Sequence, residues 1–187
     1  VQDRIREEVP LVNDFYARVL GRHVLEIVWI MSDSEEWVVD TWKEAFGIQG
    51  NPKTGFGTLP KAVLAPTTWS SDGVIAHELF HLLEMQLAGA ESTFDCESCR
   101  QGGVEPIWLH EGAATYYGLQ YASTRGGANF EEARIRRIKA VAEDPSVLRS
   151  METRQEFNAN LKSGTLAFVA VDFLISKFGE SSVVDFY

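Results

Sequence analysis

Residues 74–89 read VIAHELFHLLEMQLAG. Apolar residues recur through this run at helical spacing. The segment TTWSSDG before it offers several capping oxygens, and Gly89 closes it, so a helix is predicted here. Residues four apart in a helix lie one above the other, which lets His77 and His81 direct two imidazoles at one point and clamp a metal ion. Glu78 lies one step round from His77, so its carboxylate falls beside the metal rather than on it, within reach of a water there.

A catalytic zinc takes three protein ligands and keeps a fourth position for water. The run supplies two. The candidate for the third is Glu111, in IWLHEGAATYYGLQYAS (107–123), a second predicted helix that Pro106 opens after a long loop. At about 100° per residue, Thr115 and Gly118 share the face of Glu111, whereas Tyr116 points away and reads as packing. Glu84 and Glu91, farther along or past the first helix, read as solvated surface residues.

Outward from these helices, DRIREEVPLVNDFYARVLG (3–21) has apolar positions at helical spacing and ends in glycine, which predicts an opening helix. HVLEIVWIM (23–31) reads as a strand. Ser32 to Ser34 can cap a helix over EEWVVDTWKEAFG (35–47), and QGNPKTGFGTLP (49–60) reads as a loop or hairpin connection. KAVLAP (61–66) is a short strand stopped by proline. A charged helix near 130–143 and a helix over GTLAFVAVDFLISKFG (164–179), apolar on most sides and hence buried, complete the pattern. Strands come early and helices late. The expected class is therefore α+β: residues 1–90 form a sheet-containing lobe on which the HExxH helix packs, and residues 91–187 form a helical lobe that supplies Glu111, with a cleft between them.

The chain has 187 residues, 45% of them apolar and 24% charged, which suits one globular unit. Its 27 acidic residues against 17 lysines and arginines leave no broad basic surface, so nucleic acid is excluded as a partner. The one basic cluster, RIRRIK at 134–139, reads as a solvated helix face. No apolar run is long enough to cross a bilayer. Cys96 and Cys99 form a lone CxxC in a polar, glycine-rich stretch. Without a second pair it reads as a local disulfide or two plain thiols, which tilts the expectation toward an oxidising, extracytoplasmic or secreted setting. The chain opens at Val1 without an initiator methionine, and GESSVVDFY at its end carries no stop signal, so a continuation beyond Tyr187 is expected.

HELFH followed by WLHEGAATYYG resembles the gluzincin branch of zinc peptidases, in which HExxH is completed by a glutamate within W-L-x-E-G-x-A-x-Y. Trp108, Leu109, Glu111, Gly112, Ala114 and Tyr116 all fall in register. GTLAFVAVDFLISKFGE is similar to the later buried helix of peptidase MA-like families. The resemblance implies a zincin-like fold, one zinc ion held by His77, His81 and Glu111, and Glu78 as the general base that activates water against a peptide carbonyl. It further implies a peptide or protein substrate, held along KAVLAP as an edge strand.

Three departures accompany the match. The interval from His81 to Glu111 is longer than in the aminopeptidase members, by the cysteine loop. KAVLAP contains nothing like their G-x-M-E-N segment, so recognition of a substrate amino terminus is not expected. Their oxyanion-stabilising tyrosine has no counterpart, since the corresponding position is near Leu161, and His110 is the candidate to substitute as a donor. The missing tyrosine keeps open a second reading, a catalytically weak or inactive binding domain on the same fold.

Overall fold

The helix predicted from residues 74–89 spans Asp72–Leu87 and is apolar on nearly every side. Ile75, Ala76, Leu79, Phe80, Leu82, Leu83 and Met85 are all buried, so the element needs cover from several directions. In the computed structural model the described residues are 2–25, 28–32, 34, 36, 37, 40, 44, 58, 59, 62–66, 72–88, 106–143, 154–159 and 162–187. Along the chain they form α1 (Gln2–Leu20), β1 (Val28–Ser32), β2 (Thr58–Leu59), β3 (Ala62–Pro66), α2 (Asp72–Leu87), α3 (Ile107–Thr124), α4 (Phe130–Ala142), α5 (Arg154–Ala159), α6 (Ser163–Phe178) and α7 (Ser181–Val184).

This overturns the expected α+β class with the HExxH helix seated on a sheet. The described residues are mainly helical. The strands run five, two and five residues, too short to make a layer of their own. Instead α2 packs chiefly against α3 and α1, and α3 packs in turn against α6. The physical reason lies in α2 itself: a helix without a polar face is better covered by the long apolar faces of other helices than by strands of a few residues. Aromatic rings fill the junction. Phe80 stacks on Tyr117 at 4.8 Å between centroids, and Tyr16 meets both rings edge-on. The Tyr16 hydroxyl donates to the Ala76 carbonyl oxygen, tying α1 to α2.

A second correction concerns KAVLAP. The strand order is β1-β3-β2, with β3 parallel to β1 and antiparallel to β2, so Ala62–Pro66 is the middle strand rather than the edge. Thr58–Leu59, within the stretch read as a connection, pairs beside it. Where β2 pairs with β3, at Ala62 and Val63, that side of the strand is occupied and is not an edge for a peptide.

Other readings fare better. The opening helix ends at Gly21, whose φ of 65° gives the left-handed turn that glycine adopts freely. Ser34 Oγ accepts from the Trp37 backbone N–H at 3.2 Å, as a helix cap does. Helix α6 buries Leu166, Phe168 and Val171 but leaves Phe173 58% exposed, so one face is covered and not most sides. In the basic cluster, Arg134 is not simply solvated. Its Nε donates to the buried Asp172 carboxylate at 2.6 Å, and Arg137 lies over the Phe168 ring. Gly89, Glu91, Cys96, Cys99, Leu161 and most of residues 35–57 lie outside the described residues. No helix among the described residues is long and apolar enough to cross a membrane.

Candidate metal centre

His77 and His81 leave the same face of α2, and their Nε2 atoms approach to 3.0 Å. From α3, Glu111 Oε2 comes within 3.6 Å of His77 Nε2 and 3.9 Å of His81 Nε2. Three donors from two helices thus outline a triangle. Ligand atoms placed tetrahedrally about 2.1 Å from a small cation stand roughly 3.4 Å apart, so these edges have the right length. Glu78 Oε1 lies 4.0 Å from His77 Nε2, and the Glu78 side chain is buried. His77, Glu78 and His81 form one of two clusters among the described residues that could hold a metal ion.

Small residues let the helices meet this closely. A Cβ added to Gly118 on α3 would fall 2.6 Å from the Gly73 carbonyl oxygen and 3.4 Å from His77 Cβ. On the other flank of α3, a Cβ on Gly112 would fall 2.5 Å from the Ala167 carbonyl oxygen of α6. Glycine at 112, next to Glu111, and at 118, against His77, therefore sets how far the carboxylate stands from the imidazoles.

The electrostatics match the donor roles. Burial pulls His81 down, helped by the charges of His110 and His77, to a pKa of about 4 despite a hydrogen bond with Glu84. At neutral pH His81 is therefore a neutral imidazole, the form that ligates metal. His77 is also pulled down by burial, but its hydrogen bond with Glu111 and the charges of Glu78, Glu111 and Glu84 outweigh that, and the net shift is upward. The carboxylates that draw a proton to His77 would equally draw a metal cation.

Glu84 is the largest departure from the sequence reading. It is 1% exposed, not solvated. His81 Nδ1 lies 3.1 Å and His110 Nδ1 2.5 Å from Oε2, and Oε1 accepts from the Tyr187 hydroxyl at 2.6 Å. Burial alone would raise its pKa, but the charge and hydrogen bond of His110 and the hydrogen bond of His81 hold it below the usual carboxylate range. His110 is likewise buried, 5% exposed, with its ring 4.0 Å from that of His81. One residue before Glu111, it turns about 100° from the glutamate's face and lies against His81 and Glu84. A charge in the middle of an apolar run, seven residues from His77 and three from His81, was the signal for Glu84. Tyr187 belongs to no motif and gave none.

The tyrosines of α3 are otherwise engaged. Tyr116 packs against Phe130 and Phe168, the Tyr117 hydroxyl donates to Glu180 at 2.6 Å, and that of Tyr121 donates to Glu8. No protein-family model, curated protein or solved structure matches the chain.

Proposed function

We propose that the protein is a zinc-dependent peptide hydrolase of the gluzincin type, with His77, His81 and Glu111 as ligands and Glu78 as general base. The observation that carries the reading is the convergence of two imidazole nitrogens and a carboxylate oxygen within 3.0–3.9 Å, with a second carboxyl group, that of buried Glu78, 4.0 Å from His77 Nε2. Two nitrogens and one oxygen with an open fourth position are the donor set of catalytic zinc. Zinc, when bound, supplies a Lewis acid that brings the pKa of a coordinated water to about 7 and polarises a carbonyl.

The chain's own groups supply the rest. Glu78 accepts the proton of the attacking water and returns it to the leaving nitrogen, work that needs a carboxylate near the cation but not on it. The side chains of His77 and Glu111 are 23% and 19% exposed against 7% for His81, so substrate enters on the His77 and Glu111 side. His110 serves as a support of Glu84 and not as a donor to substrate.

The engagement of the Tyr117 and Tyr121 hydroxyls, which donate to Glu180 and Glu8, favours a second reading, a metal-binding domain with weak turnover. One pair of proteins separates the two. Wild type with one zinc per chain should cleave members of a mixed peptide library, and Glu78→Gln should keep the zinc while losing cleavage by about 10²–10⁴-fold. Equal, negligible cleavage by both zinc-loaded proteins would leave the binding domain. Purified protein without affinity for zinc would end both.

A further inference from the structure

Glu84 is closed to solvent and meets His81 on Nδ1, the ring nitrogen that does not face the triangle, and two imidazole nitrogens and one hydroxyl converge on its carboxylate. A carboxylate oxygen facing two imidazole nitrogens at 3.1 and 2.5 Å is met most favourably by N–H on each of them. For His81 this selects the tautomer: with N–H at Nδ1, its lone pair is at Nε2, the atom that faces His77 and Glu111. For His110 it ties the backbone next to Glu111 to α2. Tyr187, 103 residues along the chain from Glu84, holds the opposite oxygen.

We propose that Glu84 is the positioning residue of the metal centre. Its carboxylate presents His81 Nε2 to the cation and, through His110, locks the register of α3 so that Glu111 meets the two histidines; Tyr187 keeps that carboxylate from rotating. The inference rests on the metal-site reading and adds to it a residue that neither binds the cation nor touches substrate. Alternative uses of the cluster fit less well. His81, Glu84 and His110 could themselves hold a cation, but two N–H donors on one carboxylate oxygen already account for their spacing.

The test uses chelator competition to measure zinc affinity, and the visible spectrum of the cobalt-substituted protein to report ligand geometry. Glu84→Gln keeps the size but can no longer accept from all three donors, and should weaken zinc binding by about 10- to 100-fold and alter the cobalt bands. Tyr187→Phe removes one hydroxyl at the far side of Glu84, keeps the ring, and should weaken binding several-fold. In wild type the Nδ1 protons of His81 and His110 should give downfield imidazole N–H resonances that Glu84→Gln shifts or loses. Tyr187→Phe stands in for Glu84→Gln if the latter does not fold. A wild type that takes up no zinc overturns the site and this inference together. A wild type that binds, with Glu84→Gln or the folded Tyr187→Phe matching its affinity and cobalt spectrum, overturns the inference alone.

Discussion

Glu78, Glu84 and Glu111 share one side chain and stand around one pair of histidines, and position alone divides the roles proposed for them. Glu111 reaches the imidazole nitrogens from a second helix, Glu78 stands beside them, and Glu84 lies beneath them. Exchanging carboxylate for amide should therefore have three outcomes: lost turnover with retained zinc at 78, weakened zinc with altered geometry at 84, and lost zinc at 111. The histidines make a pH prediction. His81 has a folded pKa of about 4 against about 6.5 when unfolded, so the unfolded chain takes up this proton first as pH falls. Metal-free protein should lose up to about 3 kcal/mol of stability between pH 6.5 and 4. Glu84, held below the usual range, loses its contribution in the same direction, as pH drops through its lowered pKa. His77 is shifted upward, so its contribution is fully present throughout that acid window and is lost only as pH rises through its raised pKa. Urea unfolding in chelator at pH 7 and pH 4.5 reads the difference, and equal midpoints would refute it.

Helices α2 and α3 meet across backbone at Gly73 and Gly118, and that contact sets the width of the metal triangle. Gly118→Ala puts a methyl group 2.6 Å from a carbonyl oxygen that cannot move aside as a side-chain tip could. The helices must separate, at a cost of about 1–3 kcal/mol, and zinc binding should fall by about tenfold as Glu111 recedes from His77. Gly112→Ala pushes instead against Ala167 of α6 and should destabilise by a similar amount. Chelator competition and thermal melts on both variants check these effects. Unchanged zinc affinity in a folded Gly118→Ala protein would show that the contact does not govern the site. Element existence was legible from pattern at α1 by its period and Gly21, at α2 by its period and the capping oxygens before it, and at α3 by Pro106 at its start. The layer arrangement was not, because a run that is apolar on all sides reveals that it is covered without revealing by what.

One apolar cluster runs from Ile5 in α1 through α2, α3 and α6 to Val183 in α7, so both halves of the chain share a core that includes the two helices carrying the candidate metal ligands. A cation held by α2 and α3 then cross-links elements of that core. Zinc at about 100 times its Kd should stabilise the fold by about 2.7 kcal/mol and raise the Tm by about 5–10 °C. Differential scanning fluorimetry with zinc and then with chelator measures this, and a Tm indifferent to zinc would contradict a site built across two helices. The Tyr121 hydroxyl and the more exposed Arg125 guanidinium both donate to Glu8 and tie the C-terminal end of α3 to α1.

At this scale the division between sequence and tertiary structure is plain. Four-residue spacing on a helix is local geometry, so His77, His81 and the flanking Glu78 could be read directly from HELFH. Glu111 could be named as a partner because its own helix and the quoted resemblance agreed on it. Whether its carboxylate comes within 4 Å of the imidazoles depended on two glycine contacts between distant helices. The roles of Glu84, His110 and Tyr187 depended on a carboxylate being buried among donors 26 and 103 residues away. Spacing along one helix encodes which side chains share a face, but only packing determines which face is closed to water, and closure is what turns a surface acid into the support of a ligand.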